Sequence, residues 1–113
     1  MNIDIELIKG TLSLLILSLL SREPMYGYQI AATVRQKSNG AFDWKEGSLY
    51  PGLHKLERDG LIRGNWQGKA GSRRRKYYHL TEAGRAALAE KIESWKRLCQ
   101  NINEVLEKSH ERH

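Results

Sequence analysis

From Leu12 to Leu20 the chain reads LSLLILSLL, apolar nearly all round. That run lies within residues 4–21, whose pattern predicts a first helix capped by Asp4, with Leu7 and Ile8 on the turn below. A helix without a polar face needs contact on several sides, which implies burial between its own domain and a partner helix. Ser21-Arg22-Glu23-Pro24 breaks the pattern. Residues 26–38 resume it, with Ile30, Val34 and the Tyr26/Ala31 positions near one face, until Asn39-Gly40 ends the helix with Gly40 suited to the left-handed position. Residues 47–59 predict a third helix with Ser48 as N-cap and Pro51 in the first turn, where its missing N–H breaks no helical bond. Leu49, Leu53 and Leu56 form its inward stripe, and Asp59-Gly60 stops it.

Two strand-like runs follow, residues 61–67 and 74–80, joined by a GKAGSR tip that reads as a flexible cationic hairpin. On the second run Lys76, Tyr78 and Leu80 share one face, and Arg75, Tyr77 and His79 the other. Thr81 then caps a long final helix whose apolar residues Leu88, Ile92, Trp95, Cys99, Ile102 and Leu106 recur at steps of 4, 3, 4, 3 and 4. This is a heptad seam, widened by Leu98 and Val105. The order predicts a mainly α (α+β) fold: a winged helix–turn–helix domain over residues 1–80 and a C-terminal dimerisation helix over 81–113.

Charge sharpens this picture. The formal net charge is +6, and residues 54–79 hold the whole excess: Lys55, Arg58, Arg63, Lys69, Arg73, Arg74, Arg75 and Lys76 against Glu57 and Asp59. A localised basic patch is the footprint of a polyanion binder. The single cysteine, Cys99, forms no internal disulfide, and residues 12–20 are too short to span a bilayer. The expectation is a soluble, cytoplasmic protein that does not bind membranes.

The chemistry that follows is recognition, not catalysis. In a helix–turn–helix, the N-terminal residues of the second helix of the motif meet base edges in the major groove. Here those residues are Ser48, Leu49, Tyr50 and Pro51, with His54, Lys55 and Arg58 further along towards phosphates. The wing run Arg73-Arg74-Arg75-Lys76-Tyr77-Tyr78 repels itself unless a phosphate backbone relieves it, although charge runs elsewhere are simply solvated. The seam is expected to pair two copies, presenting two recognition helices to half-sites of a palindrome, with packing of Leu88–Leu106 onto the chain's own core as the alternative. Trp95, mid-seam, either fills that core or walls an aromatic cavity. Cys99 reads as a small apolar residue, with redox sensing as the alternative. His54, His79, His110 and His113 lack metal-ligand spacing, and no nucleophile motif or phosphate loop occurs, so no enzyme activity, metal or cofactor is expected.

The blocks LIKGTLSLLILSLL, YGYQI, EGSLYPGLHKLERDGLI and RRKYYHLTEAGRAAL, in that order, resemble the PadR family of bacterial transcriptional regulators. The match spans about residues 7–88, and the short C-terminal part is similar to the compact subfamily. The resemblance implies a homodimeric repressor on a palindromic operator, released by a small aromatic or hydrophobic effector. It implies DNA contacts at Tyr26, Tyr28, Ser48, Tyr50, Pro51, Lys55, Arg73, Arg74, Lys76 and Tyr77. It also places Trp95 where multidrug-responsive members stack a tryptophan on the ligand, making Trp95, Leu12 and Cys99 the candidate effector contacts. Cys99 stands where those members carry a polar acid, which argues against cationic drugs. The rivals are a non-specific nucleic-acid binder and a winged-helix protein-interaction module.

Overall fold

The computed structural model describes residues 11–68 and 73–111. Asp4, Leu7 and Ile8, and the hairpin tip from Lys69 to Ser72, lie outside the described residues. The chain runs α1 (Leu12–Leu20), β1 (Met25–Tyr26), α2 (Gly27–Lys37), α3 (Glu46–Arg58), β2 (Ile62–Gln67), β3 (Arg75–Leu80) and α4 (Glu82–Glu111).

The nearly all-apolar surface of α1, interrupted only by Ser13 and Ser18, is the organising fact. It touches α2, α3, β3 and α4, and its Ile16 and Leu17 are fully buried. Around it close Ile30 and Val34 of α2, Leu49, Leu53 and Leu56 of α3, Ile62 and Tyr78 of the sheet, and Leu88 of α4. Each such side chain contributes about 1.5–3 kcal/mol on burial, so the leucine stripe of α3 fixes which of its faces remains outside.

Several local expectations change. Tyr26 does not open the helix but pairs with Met25 in a short strand, because β3 has a free edge to pair with; the antiparallel register sets Met25 opposite Tyr78 and Tyr26 opposite Tyr77. The sheet order is β1-β3-β2. The end of α2, by contrast, follows the sequence: after the C-cap Ser38, Asn39 (φ 54°) and Gly40 (φ 82°) both take the left-handed conformation. The Asn39 amide donates to the Gln36 carbonyl (3.2 Å) and the Gly40 amide to Arg35 (2.7 Å). Helix α3 begins at Glu46, not Ser48. Buried Trp44 pins the preceding chain, extended Lys45 is the N-cap, and the amides of Ser48 and Leu49 both donate to the Lys45 carbonyl. Ser48 is therefore no cap, and Pro51 lies in the helix body, past the first turn.

The other end of α3 follows its sequence. Gly60 adopts φ 77°, its amide reaches the Glu57 carbonyl (3.0 Å), and the Leu61 amide reaches Leu56 (3.0 Å). Thr81 caps α4 as expected, accepting from the Gly84 amide at 3.0 Å while its hydroxyl donates to the Gly60 carbonyl at 2.7 Å. One threonine thus ties the end of α3 to the start of α4.

Helix α4 spans 30 residues, about 45 Å at 1.5 Å per residue. Its first turns lie on the winged domain, and the rest projects. The radius of gyration is 16.9 Å, against about 13 Å for a compact chain of this length. No described helix is long and apolar enough to cross a membrane.

Candidate nucleic-acid interface

Between the wing and the exposed face of α3 runs an open groove of about 720 Å³. Eight of the residues singled out from sequence line it: Tyr26, Tyr28, Tyr50, His54, Arg73, Arg74, Arg75 and Lys76. They come from three separate stretches of chain, brought together because α3 and β3 both pack on α1 through their inner faces.

The YGY segment has a packing reason. A Cβ at Gly27 would stand 2.6 Å from the Tyr50 Oη and 3.0 Å from its Cε1 and Cζ. Only glycine lets the Tyr50 ring lie across the start of α2, which aims the phenol along the groove. Tyr28, next on α2, is 69% exposed and leaves the surface as a free aromatic.

The basic run is not one uniform patch. Arg75 lies over the Tyr26 ring at 4.6 Å, and Tyr26 meets Tyr77 edge-on at 5.4 Å. Arg74 sits 5.9 Å from the Trp66 ring. Cations held over aromatic faces are pre-oriented yet keep donors free for phosphate oxygens. Lys76 differs: its Nζ donates to Glu57 Oε1 at 3.0 Å, and that bond holds its pKa above the ordinary lysine value. On the same face Tyr78 is buried, and burial raises its phenol pKa against the lowering pull of the Lys76 charge.

Leu49 requires correction as a base contact. It is 2% exposed and belongs to the core, because a helix starting at Glu46 turns it inward with Leu53 and Leu56. Ser48, Pro51, Lys55 and Arg58 are exposed on α3 but outside the groove lining, and Lys55 pairs with Asp59 at 3.2 Å. Tyr77 stands behind Tyr26, outside the lining.

Trp66 was missed from sequence. It is 61% exposed and lines the groove. The signal lay in strand alternation: Ile62, Gly64 and Trp66 share a face, and buried Ile62 identifies it as the side turned to α3. Glu46, also in the lining, carries no such signal.

The seam divides in two. Leu88 is buried in its own domain's core and Ile92 packs against that core, which takes these two positions out of a simple pairing stripe. Beyond them Trp95, Leu98, Ile102, Val105 and Leu106 are between 45% and 64% exposed. Trp95 borders two shallow hollows. One, of about 480 Å³, has Cys99, Asn103 and Glu107 in its lining; the other, of about 600 Å³, has Leu14, Leu61 and Leu98. Leu12 borders neither and packs over Gly52 of α3. Among the described residues no His, Cys, Asp or Glu cluster could hold a metal ion.

Comparison with known proteins adds a relationship. A family model described as the transcriptional regulator PadR-like family matches residues 16–90. A transcriptional regulator from Clostridium thermocellum superposes with a TM-score of 0.84 at 32% identity, covering 90% of this chain and 96% of that one. A PadR-like transcriptional regulator from Bacillus cereus superposes with a TM-score of 0.77 at 33% identity, covering 89% and 96% respectively. In sequence, a transcriptional regulator of Mycobacterium tuberculosis is 43% identical over 56 residues, 50% of this chain and 51% of that protein.

Proposed function

Because the chain belongs to the PadR-like family of transcriptional regulators, we propose that it is a cytoplasmic repressor that binds a palindromic operator as a homodimer and is released by a small aromatic or hydrophobic effector. The observation that carries the DNA reading is the groove between wing and α3, where Tyr28, Tyr50, His54 and Trp66 face Arg73, Arg74 and Arg75. Arginines supply phosphate contacts and counterion release, and the aromatics and His54 supply base-edge or sugar contacts.

The exposed stripe from Trp95 to Leu106 supports pairing. A helix carrying five large apolar residues into solvent gains by packing against its copy, and 3.5-residue spacing suits a coiled seam. A two-fold axis through α4 sets two α3 helices about 34 Å apart, or a multiple of it, on one face of a duplex. The hollows beside Trp95 become enclosed when a partner covers them. Occupancy there shifts the population between helix separations, and so between DNA-competent and released states.

The test is selection of tight-binding duplexes from a random library, followed by competition against a scrambled duplex at fixed salt, with sedimentation of the free protein. The reading expects a two-fold symmetric selected sequence, at least 1,000-fold preference, roughly the lower end for specific regulators, and a dimer. Equal affinity for both duplexes identifies a non-specific binder, and no salt-dependent binding identifies a protein-interaction module; either result overturns it.

A further inference from the structure

One lysine in the basic run is engaged before any nucleic acid arrives. Glu57, in the last turn of α3, uses both carboxylate oxygens on the wing. Oε1 accepts from Lys76 Nζ at 3.0 Å, and Oε2 accepts from the Gly64 backbone amide at 3.2 Å. One side chain therefore ties β3 and β2 to the helix that carries Tyr50 and His54. The space is built for this. A Cβ at Gly64 would collide with Lys76 Cε and come 3.1 Å from Glu57 Oε2. The Lys76 ammonium also lies 5.4 Å from the ring of Tyr78, which is itself anchored in the core. Both partners are shielded, with side chains 28% and 32% exposed, whereas the Lys55–Asp59 pair is 66% and 44% exposed.

We propose that the Lys76–Glu57 pair is a positioning device: Lys76 holds the wing at a set angle to α3 instead of neutralising a phosphate. The inference rests on the DNA-binding reading above. Its electrostatic logic is simple. Lys76 and Glu57 cancel, so a phosphate brought to Lys76 meets the Glu57 carboxylate beside it and gains little net attraction. The cations available to DNA in this run are Arg73, Arg74 and Arg75, whose side chains enter no ion pair among the described residues. The pair's work is geometric. With the wing held, those arginines and Tyr50 meet the same duplex in one register; with it loose, non-specific attraction survives and discrimination is lost.

The experiment uses the full chain, a duplex selected from a random library and a scrambled duplex, with binding constants measured across a salt series. Three variants are compared. Glu57→Gln keeps an acceptor for Gly64 and releases Lys76. Glu57→Gln with Lys76→Met removes both charges at constant net charge. Arg74→Ala serves as the phosphate-contact reference. The double variant is expected to lose about tenfold in affinity for the selected duplex, keep its affinity for the scrambled one, and keep the slope of log K against log salt. Arg74→Ala is expected to weaken both duplexes and lower that slope by about 1. Glu57→Gln is expected to lose selected-duplex affinity although its net charge rises. A slope loss of about 0.9 in the double variant, matching one lost phosphate contact, overturns the inference. So does Glu57→Gln binding both duplexes more tightly, and this single variant decides if the double fails to fold. Wild-type protein that does not discriminate between the duplexes fails the DNA reading itself, a result distinct from either.

Discussion

Replacing Gly27 by alanine sets helix propensity against packing. Gly27 opens α2, and alanine in a helix is favoured over glycine by up to about 1 kcal/mol. The added methyl, however, falls 2.6 Å from Tyr50 Oη, whereas ordinary contact begins near 3.5 Å. The phenol must move by about 1 Å. It can, because it is the far end of a side chain that is 36% exposed and borders an open groove. The strain is therefore at the low end of the overpacking range, about 1 kcal/mol, and nearly offsets the propensity gain. The expected melting temperature is within a few degrees of wild type. Operator affinity behaves differently. If Tyr50 contacts DNA as proposed above, displacing it costs about 1–2 kcal/mol, or roughly 5- to 30-fold in Kd. A double-mutant cycle separates the causes: Gly27→Ala should cost that factor in the wild-type background and almost nothing when Tyr50 is already alanine. Kd is read by fluorescence anisotropy with a labelled selected duplex. If the two substitutions add, Gly27 does not act through Tyr50 and the packing argument for the YGY segment is refuted.

Leu53→Ala, at a fully buried position, should cost about 2–5 kcal/mol in chemical denaturation at fixed protein concentration; a loss under 1 kcal/mol contradicts the assigned core. Ile102→Glu places a carboxylate in the exposed stripe away from the domain core. Sedimentation should then show a monomer with unchanged helix content, and a persistent dimer means pairing uses another surface. Lys76 and Tyr78 both have pKa values raised by folding, above 10.5 and 10.0, the first chiefly by the Glu57 hydrogen bond and the second chiefly by burial. The folded state thus holds these protons more tightly. Their contribution is intact below about pH 10 and is lost as pH rises through the folded values. Thermal melts from pH 8 to 11 should decline less steeply in a Tyr78→Phe, Lys76→Met variant, and parallel declines would remove both groups from the account.

Much of the architecture was legible because it is local. The leucines of α3, the Gly60 stop and the Thr81 cap depend on residues within one or two turns. The same locality explains the errors. Ser48 has a capping hydroxyl just before an apolar residue, yet Trp44, docked in the core four residues earlier, starts the helix sooner. Tyr26 fits the helical pattern that follows it, yet the edge of β3, some fifty residues away in sequence, draws it into a strand with Met25. Leu88 and Ile92 keep heptad spacing with Trp95, but spacing cannot say which of two surfaces a helix meets first.

Periodicity, turn residues and the clustering of positive charge between His54 and His79 are properties of neighbouring residues, and they determined a winged helix–turn–helix with a basic hairpin and a long last helix. Which cations stay available was decided only when the chain closed on itself. Lys76 and Glu57 lie 19 residues apart and meet across the wing, as Gly27 and Tyr50 meet across two helices. A hydrogen bond or a steric contact acts over about 3 Å, and no pattern along the sequence records which distant residues the fold will bring that close.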